Sequence, residues 1–151
     1  MKLMSAPWAL QGAGGRGLPR ALHWIALLLL CAPYVQGGLV KLFDFAGAVA
    51  EIQHLGLSPA GPMAVAVIVL ELGASAMILL GLWRWLGALA LAGFTLTATF
   101  LALQFWSAPP EARFMMANAF FEHLGLVGGF LLVAWHDLLV RHAGKSAGTP
   151  P

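Results

Sequence analysis

The sequence predicts an all-α membrane protein, a four-transmembrane-helix bundle with a short amphipathic segment between helices 1 and 2. Of its 151 residues, 60% are hydrophobic and 9% charged, against roughly 25% charged in a soluble domain. The apolar residues fall in four long blocks with the charges held between them. Blocks such as residues 25–30 and 86–91 lack the polar–apolar alternation that a membrane β-strand needs. So few charges cannot clothe a water-exposed surface, so lipid is the expected solvent.

The expected spans are 22–40, 63–82, 86–105 and 119–139, each close to the roughly 20 residues that cross about 30 Å of hydrocarbon. Arg16 and Arg20 before a short apolar run would also suit a signal peptide. However, Leu30 precedes Cys31 where a lipoprotein signal wants a small residue, and apolar character continues past Pro33 to Val40. The segment therefore reads as a first membrane helix.

After it, Leu42, Phe45, Val49 and Ile52 recur at helical spacing, while Asp44 and Glu51 share another face. Too short to span, this segment reads as an amphipathic helix on the outer surface, ended by Gly56 and the turn Ser58-Pro59-Ala60-Gly61-Pro62. A first helix prolonged beyond the membrane fits the same periodicity. Residues 1–17 and 141–151, rich in Gly, Ala, Ser and Pro, read as disordered cytoplasmic tails around a single membrane domain, 18–140.

Orientation follows from basic residues. With both termini inside, the inner segments hold Lys2, Arg16, Arg20, Arg84, Arg141 and Lys145, and the outer segments hold Lys41 and Arg113; the positive-inside rule favours this N-in, C-in arrangement. Trp24, Trp83, Trp85 and Trp135 fall at the inner boundary and Trp106 at the outer one, as interfacial indoles do.

Without a hydrophobic drive between helices in lipid, small residues must carry the packing. Gly125 and Gly129 form a GxxxG pair, and Gly87 and Gly93 thin the third span. Thr95, Thr97 and Thr99 are expected to bond to their own helix carbonyls. Six polar residues stand out by depth: Gln36, Lys41, Glu71, Gln104, Glu122 and His123, drawn from all four spans and from the same outer half of the membrane. An intramembrane carboxylate such as Glu71 needs a partner, a proton or water. The six either form an outward-facing polar pocket or include a Lys–Glu bridge that merely fixes the helices. Adjacent Glu122 and His123 diverge by about 100° around a helix, so a metal site with Glu71 is disfavoured.

The net charge of +2 and the scattered basic residues give no nucleic-acid patch. Cys31 is the single cysteine, which excludes an internal disulfide or a CxxC pair. No Walker loop, Rossmann fingerprint or nucleophile elbow is present. His136 and Asp137 close the last span at headgroup level.

The runs Gly38-Leu39-Val40-Lys41-Leu42-Phe43, Leu55-Gly56-Leu57-Ser58-Pro59, Leu70-Glu71-Leu72-Gly73 with Leu80-Gly81-Leu82, and Glu122-His123-Leu124-Gly125-Leu126-Val127-Gly128-Gly129 resemble the DoxX family of small bacterial membrane proteins. The resemblance runs from about residue 20 to residue 139 and implies a four-helix protein of the bacterial inner membrane. Relatives are associated with quinone-linked thiosulfate oxidation, with quinone and thiol stress, and with membrane oxidoreductase complexes. The expected role is an accessory or scaffold subunit of a redox or stress-response complex, with a membrane or soluble redox-protein partner, rather than an autonomous enzyme. The runner-up is a quinone-linked oxidoreductase subunit in which Lys41, Glu71 and His123 hold a quinone head group and move its protons. A small-solute or proton pathway is the third reading and would need a homo-oligomer, because four thin helices leave little room for a channel.

Overall fold

The computed structural model describes residues 17–146, with side chains for 20–143. The expected tails at residues 1–16 and 147–151 lie outside the described residues. Five helices follow one another: α1 (Gly17–Phe43), α2 (Phe45–His54), α3 (Ala60–Leu80), α4 (Arg84–Ala102) and α5 (Pro110–Ser146). Four of them, all but α2, are long and apolar enough to cross a membrane.

The helix ends have local causes. Asp44 stops α1 because its carboxylate accepts the Gly47 N–H at 2.9 Å, capping α2. The chain thus makes a separate short helix here. Its buried residues are Ala48 and Ile52, packed on Ala64 of α3; Leu42 and Phe45, expected on that face, stay exposed. The α3–α4 turn is tight: Gly81 (φ 74°) and Trp83 (φ 49°) both adopt left-handed backbone. Arg84 closes the turn by donating from Nε to the Ile78 carbonyl at 2.9 Å, satisfying one of the orphan acceptors at the end of α3.

The third span ends at Ala102 rather than at residue 105, and Gln104 lies in the following loop. Helix α5 begins at Pro110, well before the apolar stretch starting at 119, and runs through residues expected to open the C-terminal tail. Proline is favoured at a helix start, and Glu111 in the first turn complements the dipole. Hydropathy marks only the part of α5 that lipid must cover; its full length is about 55 Å at 1.5 Å per residue.

Short connections make successive long helices antiparallel neighbours. Helix α3 packs on α1 and α4, and α4 on α5, while α1 and α5 meet more sparingly. The core takes Leu27, Cys31 and Tyr34 from α1, Ile78 from α3, Leu91 from α4 and Phe130 from α5. Tyr34 and Phe130 meet edge to face, with centroids 5.3 Å apart.

Two glycines make this approach close. A Cβ on Gly87 would stand 2.8 Å from the Ala74 carbonyl, and one on Gly38 would stand 2.8 Å from the Leu72 side chain. A Cβ on Gly129 would stand 3.1 Å from Leu30 Cδ1. Gly93 and Gly125 have open space where a Cβ would go, so neither is at a helix contact within the chain.

Candidate functional site

Among the described residues, the bundle interior holds one ion pair. Lys41 Nζ lies 3.4 Å from both carboxylate oxygens of Glu71. Glu71 sits near the middle of α3 with its side chain 7% exposed, and that of Lys41 is 20% exposed. Helical side chains tilt toward their own N-terminus, so on antiparallel α1 and α3 Lys41 and Glu71 lean toward each other. Gly37 and Gly38 provide the space: a Cβ on Gly37 would lie 3.7 Å from Glu71 Oε1, and one on Gly38 would lie 3.3 Å from Glu71 Cβ. The carboxylate therefore rests against bare α1 backbone.

Further polar side chains line the same interior. The Tyr34 hydroxyl and Thr95 Oγ1 are 2.5 Å apart, and Thr95 also donates to the Leu91 carbonyl at 2.6 Å. Thr99 donates to the Thr95 carbonyl at 2.6 Å and, on the exposed face of α4, Thr97 donates to the Gly93 carbonyl at 2.9 Å, the back-bonding expected of helical threonines. Ser75, one turn from Glu71, faces the buried Cys31 thiol. Its hydroxyl is the buried side-chain oxygen without a hydrogen bond of standard geometry among the described residues.

Of the six residues selected by depth, Lys41 and Glu71 come together. Gln36 is exposed on the far side of α1, beside an apolar groove. Gln104 is exposed and donates to its own Phe100 carbonyl at 3.4 Å. Glu122 is exposed on α5, and half-buried His123 places Nδ1 2.6 Å from the Ala119 carbonyl. Helices α3 and α5 do not pack on each other, so Glu122 and His123 stand apart from Glu71. Among the described residues, no three His, Cys, Asp or Glu side chains are grouped to hold a metal ion. Tyr34 and Cys31 join the interior seam unforeseen; their sequence signal was the four- and three-residue spacing of Leu27, Cys31, Tyr34, Gly38 and Lys41.

The opposite end of the bundle is held by a second polar contact. Asp137 Oδ2 accepts the Trp85 N–H at 3.2 Å and Arg141 Nε at 2.8 Å, so α5 caps the start of α4. Asp137 is thus more than a headgroup-level residue. The His23 and His136 rings lie 6.1 Å apart at this end, and the Arg84 guanidinium lies 6.0 Å from the Trp24 ring centroid.

The DoxX family profile matches residues 24–104. An inner membrane protein of Escherichia coli (strain K12), YqjF, is 34% identical over 110 residues, covering 73% of this chain and 79% of the relative. No solved structure matches the chain. The profile spans α1 to the end of α4, including Lys41, Glu71 and both glycines that seat them. The chain belongs to the DoxX family.

Proposed function

We propose that the chain is an accessory, non-catalytic subunit of a redox or stress-response complex in the bacterial inner membrane, oriented with both termini in the cytoplasm. The observation that carries this reading is the closed state of its one interior ion pair. Glu71 has its counter-ion at both oxygens and glycine backbone behind it, an arrangement that fixes α1 to α3 and engages the buried carboxylate with its partner. His123, the group best suited to proton transfer near neutrality, is on α5 and engaged with its own helix. A lock that positions two helices suits a protein whose work is to hold others in place. The inner-membrane assignment is supported by the similarity to the inner membrane protein YqjF of Escherichia coli. The orientation is supported by the excess of Arg and Lys in the proposed inner segments.

The test is purification in mild detergent, with co-purifying proteins and extractable quinones measured in the same sample. A stable redox-protein partner without stoichiometric quinone is expected. Stoichiometric bound quinone on the isolated chain would overturn the accessory reading and establish the quinone-linked one.

A further inference from the structure

Helix α1 carries two seams on opposite sides. Leu27, Cys31, Tyr34, Gly38 and Lys41 face the bundle, separated by steps of four and three residues. Ile25, Leu29, Ala32, Gln36, Leu39 and Phe43 repeat the same steps and are all exposed. The two series are offset by two residues, about 200° around a helix. The second seam therefore points away from the buried core, and Leu79 of α3 borders one side of it. Steps of four and three are the spacing at which one helix packs along another in a left-handed crossing.

Gln36 sets this outer seam apart from an ordinary lipid-facing stripe. Its amide has no partner among the described residues, and the adjoining groove of about 880 Å³ is lined by apolar residues of α1 from Leu28 to Phe43, with Asp44 at its outer end and Leu79 of α3 along its side. Gln36 lies seven residues before the end of α1 at Phe43, about 10 Å along the axis. Side chains of α1 tilt toward its N-terminus, so Gln36 leans toward the middle of the membrane and away from the nearer surface. By contrast, exposed Glu122 on antiparallel α5 leans toward its nearer surface. An amide held in hydrocarbon without a partner is costly.

We infer that the outer face of α1 is a homodimer interface, in which α1 packs in parallel against α1 of a second copy. The occupant follows from the chemistry of the amide. One glutamine side chain offers both a donor and an acceptor, so two copies related by a two-fold axis along the membrane normal satisfy each other, with Gln36 opposite its symmetry mate. The same axis brings Leu29, Ala32, Leu39 and Phe43 onto their own counterparts, and residues of one copy fill the groove of the other. A single polar residue in an otherwise apolar seam also fixes register. The inward seam is unaffected, so each copy keeps its Lys41–Glu71 pair.

Cysteine cross-linking in native membranes and association in vesicles test this together. Cys31 is fully buried and serves as the silent background. Upon oxidation, Leu29→Cys, Ala32→Cys, Gln36→Cys and Leu39→Cys should form disulfide-linked dimers, while unsubstituted protein and Leu132→Cys, at an exposed site on α5, should not. Energy transfer between C-terminally labelled full-length chains in phosphatidylcholine–phosphatidylglycerol vesicles should show dimers that Gln36→Leu weakens about tenfold and Gln36→Asn largely retains. Equal cross-linking at Leu132→Cys, a monomer throughout, or an undiminished Gln36→Leu dimer would overturn the inference.

Discussion

Lys41→Met removes the cation from a carboxylate whose side chain is 7% exposed, whereas Glu71→Leu strands an amine that is 20% exposed. The two substitutions should cost unequal amounts. Removing one partner of a buried pair costs about 3–5 kcal/mol. A stranded carboxylate can escape by taking up a proton, and neutralising a group of ordinary pKa ~4.3 at pH 7 costs about 3.7 kcal/mol, which sets a ceiling. Lys41→Met should therefore destabilise by about 3–4 kcal/mol. Lys41 sits two residues before the end of α1 with a flexible stem, so after Glu71→Leu its ammonium reaches the headgroups, and the cost falls to about 1–2 kcal/mol. Replacing both partners with apolar side chains should cost no more than about 1 kcal/mol, giving a coupling of about 3–6 kcal/mol. Reversible unfolding in detergent micelles titrated with sodium dodecyl sulfate, followed by helical circular dichroism, measures all four corners of the cycle. Additive effects, or a Glu71→Leu penalty larger than that of Lys41→Met, would refute the reasoning.

Glycine substitutions should separate by contact: Gly87→Ala pushes a methyl onto the Ala74 carbonyl and should cost about 1–3 kcal/mol. Gly125→Ala meets open space and should be neutral or stabilise by up to about 1 kcal/mol in the same unfolding assay. Asp137→Ala removes the acceptor for Trp85 N–H and should cost about 0.5–2 kcal/mol, whereas Arg141→Ala, which loses only a half-exposed ion pair, should cost under about 0.5 kcal/mol. Reporter fusions after Arg84 and after Lys145 should both report the cytoplasm; an external signal at either position contradicts the proposed orientation.

Length and hydropathy located the spanning helices to within a few residues in α3 and α4, because lipid thickness dictates how much apolar chain each needs. The short helix before α3 was legible from its period, but of the four residues that marked its apolar face Leu42 belongs to α1 and Phe45 stays exposed. What hydropathy does not encode is rotation about the helix axis. Of the four glycines read as packing positions, Gly87 and Gly129 lie at close approaches whereas Gly93 and Gly125 face open space, and the tight contact of Gly38 with the Leu72 side chain carried no such signal. The depth of Lys41 and Glu71 put them within reach of one another. Depth alone also grouped Glu122 and His123 with them, although α5 packs on α4 and does not pack on α3. The Tyr34–Thr95 contact joins residues 61 apart in sequence, and neither residue is charged, so no local signal pointed to it. Asp137 read as a headgroup residue because its partner, the Trp85 N–H, belongs to another helix's first turn.

The position of Glu71 within α3 has a consequence for how the chain enters the bilayer. Of the four spanning helices, α3 has the highest mean hydropathy, although it alone carries a carboxylate near its middle. An acidic residue at that depth opposes insertion by about 2.5–3.5 kcal/mol, and each Leu, Ile or Val returns about 0.3–0.6 kcal/mol. The run of Val, Ile and Leu around Glu71 is therefore what lets this segment partition into lipid at all. Synthesis order helps in the same direction: α1 emerges first, so Lys41 and the bare backbone at Gly37 and Gly38 are already in the membrane when α3 arrives. The carboxylate then leaves the translocation path directly into a prepared seat, and a chain with α1 deleted should strand α3 at the point of release.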